Sequence, residues 1–191
     1  MTASEVLGRI TTHLQQRGIS YMLVGSFASA FHGAMRSTRD IDIVIEATPE
    51  QLRGLVADLQ IADYYAELDA ALDAYRHESL FNVIDNQPGW KIDLIFRKSR
   101  PFDREEFRRR VPARLFDIQL FVASAEDVII SKLEWSKLGG SQRQIEDVAK
   151  VLAAQWQTLD QSYLSKWIGE LDLQEQWSAA KRFAEIADYT E

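Results

Sequence analysis

Residues 40–46 read Asp-Ile-Asp-Ile-Val-Ile-Glu, and this string restricts the fold more than any other in the chain. Its alternation and β-branched residues predict a strand. Successive strand side chains point to opposite faces, so Ile41 and Ile43 enter a core while Asp40 and Asp42 project together on the other side. Asp is a poor strand former, and two adjacent carboxylates repel one another. A hard divalent cation would relieve that repulsion, and oxygen ligands suit Mg²⁺.

A third carboxylate fits the same scheme. In Trp90-Lys91-Ile92-Asp93-Leu94-Ile95-Phe96, Asp93 is the lone acid, and Ile92, Leu94 and Phe96 share the opposite face. If this strand lies beside the first, Asp40, Asp42 and Asp93 converge. Such a triad can hold two Mg²⁺ ions, and Asp93 can also act as general base on an attacking hydroxyl. Upstream, Gly25-Ser26 follows the apolar run Tyr21-Met22-Leu23-Val24 and precedes an Ala-rich short helix, Phe27 to Phe31, stopped at Gly33. Glycine lets the backbone approach a ligand closely. The helix start presents free N–H groups and Ser26 a hydroxyl, so phosphates bound there would face the metal ions. Arg36 and Arg39 would add positive charge for a polyphosphate or its acceptor.

The rest of the chain supplies the frame. Thr2 with Glu5 forms a capping box for a first helix carrying Leu7, Ile10 and Leu14 and ending at Gly18. Thr48, Pro49 and Gln51 start another, with Leu52, Leu55, Val56 and Leu59 on its inner face. Residues 61–77 are acidic and Ala-rich and carry no clear periodicity. Ser79 to Ile84 and Lys91 to Phe96 read as a hairpin around residues 85–89, and Phe116 to Val122 as a further strand. From Ser124 the pattern turns helical. Ser124 with Asp127 caps a helix running to Gly139-Gly140, Ser141 with Gln144 caps the next, and two more lie near 160–169 and 172–188. The expected architecture is α+β: a mixed sheet flanked by helices over residues 1–122, followed by a helical C-terminal region over 123–191.

Composition narrows the chemistry. None of the 191 residues is Cys, which removes disulfides, thiolate metal sites and cysteine nucleophiles. His13, His32 and His77 lack metal-ligand spacing. No apolar run is long enough to span a membrane, and the N-terminus lacks a basic start followed by an apolar stretch, so a cytoplasmic location is expected. The formal charge of −7 hides an asymmetry. Residues 97–114 hold eight basic side chains against three acids, a local +5 that leaves the remainder at −12. Phe102 and Phe107 interleave this stretch, a pattern suited to stacking on single-stranded RNA. Residues 57–78 hold six acids against one Arg, which would suit a cationic small molecule.

The sequence Val-Gly-Ser-Phe-Ala-Ser-Ala-Phe-His-Gly-Ala-Met-Arg-Ser-Thr-Arg-Asp-Ile-Asp-Ile-Val-Ile, followed by a strand Asp, resembles the nucleotidyltransferase superfamily of polymerase-beta type. The segment from Ser124 to Leu152 resembles AbiEii-like toxins of abortive-infection systems, which carry a Lys in one helix and an Asp in the next. Lys132 and Asp147 match those positions. The resemblance spans about residues 20–155. Two departures stand out: thirteen residues separate Ser26 from Asp40 where about ten are usual, and Lys137 stands where an Arg is common.

The resemblance implies a nucleotidyltransferase-type fold and a Mg²⁺-dependent, pyrophosphate-releasing enzyme that moves a nucleoside monophosphate from an NTP to a hydroxyl acceptor. In that scheme Asp40, Asp42 and Asp93 are the catalytic and metal-binding residues. Gly25, Ser26, Arg39, Lys132 and Asp147 bind or support the nucleotide, with Lys132 on phosphate. A tRNA or protein acceptor is favoured, with a cognate toxin or antitoxin as a further partner and no DNA. The alternatives are an antitoxin-like nucleotide- or partner-binding module without turnover, and an antibiotic-modifying enzyme. An Asp-x-Asp glycosyltransferase would leave Gly25-Ser26 and Asp93 unexplained.

Overall fold

A computed structural model describes residues 2–35, 37–87 and 89–185. They form two compact units, residues 2–27 with 37–123, and residues 28–35 with 124–185. The short stretch 28–35 groups with the C-terminal helices, a partition that the linear boundary at 122 does not anticipate.

The first unit is built on a seven-stranded sheet in the order β3-β4-β5-β2-β1-β7-β6. Its strands are β1 (Ser20–Leu23), β2 (Asp40–Glu46), β3 (Tyr64–Tyr65), β4 (Leu80–Asp85), β5 (Lys91–Phe96), β6 (Val111–Leu115) and β7 (Ile118–Val122). The sheet is mixed: β2 runs parallel to β5 and antiparallel to β1, while β4–β5 and β6–β7 are antiparallel hairpins. Helices α1 (Ala3–Gln16), α3 (Pro49–Ile61) and α4 (Leu68–Arg76) pack together and on the sheet. Both expected capping boxes form: Thr2 and Thr48 each accept from the backbone N–H three residues on, and Glu5 and Gln51 reach back. Leu7, Ile10 and Leu14 of α1, Leu52, Leu55 and Leu59 of α3, and Ile41, Ile43, Ile45, Ile92 and Leu94 of the sheet are fully buried. Each such side chain contributes roughly 1.5–3 kcal/mol of transfer free energy. The opposite positions of β2 and β5 are half-buried or exposed, so the apolar parity of the strands sends their polar residues to one open face.

Four elements lay outside the sequence reading. Residues 61–77 form β3, which buries Tyr64, and α4, which buries only Ala71, Leu72 and Ala74, too few large side chains for clear periodicity. The basic stretch folds into α5 (Pro101–Arg108) and β6. Phe102 and Phe107 are 2% and 4% exposed, so they are core residues and not a stacking platform. Its charges are largely paired within the unit: Arg97 with Glu46, Arg100 with Asp103, Arg108 with Glu105 and Arg114 with Asp117.

The second unit contains α6 (Ala125–Gly139), α7 (Gln142–Gln155), α8 (Gln161–Glu170) and α9 (Gln174–Phe183), with the end of α2 (Gly25–Phe31). Ser124 caps α6 as expected, and Gly140 closes it at φ +61°. Ser141 is the N-cap of α7 but makes no side-chain cap. The Gln144 side chain is drawn away instead, accepting a hydrogen bond from Lys132 Nζ at 2.9 Å. The expected last helix ended at 188; residues 186–188 lie outside the described ones. Among the described residues no helix is long and apolar enough to cross a membrane.

Candidate active site

The open face of β2, β5 and β4 is a grid set by strand register. Asp42 is the register partner of Asp93, and Asp93 that of Asn82. One row along, Asp40 partners Lys91, and Lys91 partners Ile84. The next row is Val44, Ile95 and Leu80. The face is therefore a polar patch two rows deep, bounded by an apolar row.

Asp42 and Asp93 are brought together as the sequence predicts. Asp40 lies on the same face one row away and is exposed. Among the described residues no three His, Asp or Glu side chains converge tightly enough to hold an ion as they stand. Asp93 is already engaged. Its Oδ2 accepts from Lys91 Nζ at 3.0 Å, and its Oδ1 accepts from Asn82 Nδ2 at 2.6 Å. An ammonium already neutralises the carboxylate. The Lys91 amine is correspondingly held above its usual pKa, first by the hydrogen bond to Asp93, against some desolvation, and then by the charges of Asp93, Asp40 and Asp42.

Gly25 closes over this face. The Val24 N–H donates to the Asp42 carbonyl at 2.9 Å, so the chain turns into α2 directly above the Asp42 side chain. Gly25 has φ +62°, and a Cβ there would overlap the Asp42 carboxylate. Only a residue without a side chain fits, for both reasons at once. Ser26 follows and is buried. Arg39 is exposed in the bend just before β2. Arg36 lies outside the described residues.

Lys132 and Asp147 belong to the second unit and are brought together there. Lys132 Nζ lies 2.8 Å from Asp147 Oδ2, with side chains 7% and 2% exposed. As placed, the ammonium is taken up by Asp147 and Gln144. Lys132 and Asp147 therefore form a buried ion pair within the second unit. The same unit buries Asp127, which accepts from Ser124 Oγ and from the Tyr163 hydroxyl.

Asn82 and Lys91 escaped the sequence reading. A hairpin closed symmetrically about residues 85–90 pairs 84 with 91 and 82 with 93, so the signal for Asn82 was present. Lys91 shares the parity of Asp93, two residues on.

A sequence model of the family described as "Nucleotidyltransferase of unknown function (DUF6036)" matches residues 2–189. The chain belongs to this nucleotidyltransferase family. No curated protein is matched by the sequence. Among solved structures, the chain is similar to an antigenic nucleotidyltransferase-like protein from Paracoccidioides brasiliensis, at 15% identity and TM-score 0.55, covering 93% of this chain and 91% of that one. It is also similar to the antibiotic-resistance factor ANT(2'')-Ia in solution, at 12% identity and TM-score 0.56, covering 96% and 97%. A crystal structure of ANT(2'')-Ia with adenylyl-2''-tobramycin gives 14% identity, TM-score 0.56 and coverage of 96% and 100%. At these identities the likeness establishes a shared fold. This nucleotidyltransferase therefore has the mixed sheet with flanking helices that its strand patterns predict.

The carboxylates suit the divalent cation that such a fold implies. Asp42 and Asp93 offer hard oxygen ligands from adjacent strands, Asp40 adds another on the same face, and the Gly25 backbone approaches Asp42 closely.

Proposed function

We propose that this nucleotidyltransferase moves a nucleoside monophosphate from an NTP to a hydroxyl of its acceptor, using Asp40, Asp42 and Asp93 to hold Mg²⁺. The observation that carries this reading is the register pairing of Asp42 with Asp93 beneath Gly25. When bound, Mg²⁺ would neutralise charge on the phosphates and on the departing pyrophosphate. The acceptor oxygen bonds to the α-phosphorus, the bond from that phosphorus to the bridging oxygen breaks, and pyrophosphate leaves. Asp93 takes the hydroxyl proton, its carboxylate oriented by Asn82. Gly25 and Ser26 present backbone and hydroxyl donors to the phosphates, and Arg39 supplies positive charge beside β2. Catalysis is mainly positioning and charge neutralisation.

The buried Phe102 and Phe107 and the paired arginines withdraw the argument for an RNA acceptor that residues 97–114 made as sequence. The carboxylate-rich open face favours a neutral or cationic hydroxyl compound, or a protein side chain, over a polyanion.

The test is incubation with each labelled NTP and Mg²⁺ in the presence of cell lysate, total RNA and aminoglycosides in separate arms. Wild type is expected to release pyrophosphate and label one acceptor, while Asp42→Asn stays folded and does neither. Undiminished turnover by Asp42→Asn would refute the assignment.

A further inference from the structure

We infer that Lys91 is a built-in counterion of the acidic face, held on Asp93 in the metal-free protein and displaced when a divalent ion enters. This rests on the metal-binding reading of Asp40, Asp42 and Asp93. The two oxygens of Asp93 are engaged by unlike partners. Oδ1 is held by Asn82, a neutral amide on the neighbouring strand, at 2.6 Å. Oδ2 is held by the Lys91 ammonium, from its own strand, at 3.0 Å. An amide donor can remain beside a metal-bound carboxylate. An ammonium there would compete with a divalent ion, because both are cations drawn to the same carboxylate.

Lys91 is also placed to leave. Its side chain is 48% exposed, against 13% for Asp93. The ammonium is carried on a flexible stem, so returning it to water costs little. Its register partner on β2 is Asp40, the most exposed of the three acids. While Lys91 sits on Asp93, the repulsion between Asp42 and Asp93 is tempered without metal. The consequence is competition: this chain binds a divalent ion more weakly than its three carboxylates alone would.

Mn²⁺ is the probe, titrated without nucleotide at fixed pH and salt and followed by electron paramagnetic resonance. Wild type, Lys91→Met, Lys91→Arg and Asp42→Asn are compared. The Lys91 side-chain NH₃⁺ resonance is followed in parallel in ¹⁵N-labelled wild type during Mg²⁺ addition. Lys91→Met is expected to bind Mn²⁺ at least tenfold more tightly than wild type, Lys91→Arg no more tightly, and Mg²⁺ is expected to shift the NH₃⁺ signal. Equal or weaker Mn²⁺ binding by Lys91→Met, with Asp42→Asn still abolishing it, would overturn the counterion role and leave the metal reading intact. Undiminished binding by Asp42→Asn, or none by wild type and Lys91→Met alike, would overturn both.

Discussion

Replacing Gly25 by Ala separates two costs that usually arrive together. The first is backbone strain. Gly25 sits at φ +62°, where a residue with a Cβ costs roughly 1–2 kcal/mol. The second is collision: the new Cβ would lie 2.8 Å from Asp42 Cγ and 3.0 Å from Asp42 Cβ. The near contact with Asp42 Cβ means that tilting the carboxylate alone does not relieve the clash. The Asp42 carboxylate must leave its rotamer, at a further cost of about 0.5–1.5 kcal/mol, and the backbone must also shift, because χ1 rotation does not move Asp42 Cβ. Gly140 provides the control. It has φ +61°, and a Cβ there meets nothing within 4 Å. Gly140→Ala therefore carries the backbone cost alone. In urea unfolding, Gly25→Ala is expected to lose about 1 kcal/mol more than Gly140→Ala. The functional gap is expected to be far larger. A carboxylate moved by about 1 Å costs on the order of 100-fold in a positioned reaction. Pyrophosphate release and Mn²⁺ affinity should both fall in Gly25→Ala and hold in Gly140→Ala. Equal stability losses, with Mn²⁺ binding intact in Gly25→Ala, would refute the close approach as a working part of the site.

Two further outcomes follow from buried charges. Lys132→Met is expected to cost about 3–5 kcal/mol in urea unfolding, because Asp147 and Gln144 lose their shared donor in the interior; Lys132→Met combined with Asp147→Leu should cost less than the single change. The Tyr64 phenol is pushed up to about 12, first by burial, opposed by Arg9 and reinforced by Asp85. In the unfolded chain it ionises near pH 10, so Tyr64 leaves stability unaffected below that pH and removes about 2–3 kcal/mol as pH rises from 10 to 12. Tyr64→Phe should abolish that part of the alkaline slope, read as unfolding free energy at pH 9 and pH 11.

The parts of the fold that were legible are those where one strong signal had no rival. Thr2 with Glu5 and Thr48 with Gln51 marked helix starts, because each box satisfies two orphan N–H groups. The isoleucines of β2 marked a buried face, which made the placement of Asp40 and Asp42 a matter of parity. The missed elements had competing signals. Charge dominated residues 97–114 and concealed an amphipathic helix starting at Pro101, with Phe102 and Phe107 inward. Pro112 lies within β6, which is an edge of the sheet, where a missing N–H is tolerated. Between β6 and β7 the chain turns through Phe116 and Asp117, both at positive φ, with no glycine to announce it. Ser141 and Gln144 had the spacing of a capping box, but Lys132, twelve residues from Gln144, made the stronger demand on its amide.

The site shows the same rule from the other side. Parity alone brought Asp42 and Asp93 to one face, but parity also brought Lys91, and the sequence reading weighed only the acids. Repulsion between neighbouring carboxylates in adjacent parallel strands calls for positive charge, and a cation search begun from that fact has two candidates: a metal ion from solution, and any Lys or Arg of the same parity. Here the second is present two residues from Asp93 and donates to its Oδ2. A strand acid with a lysine at i−2 is thus better read as a site with an internal competitor than as a bare ligand. Under the proposed metal role, the local sequence then sets affinity as well as binding.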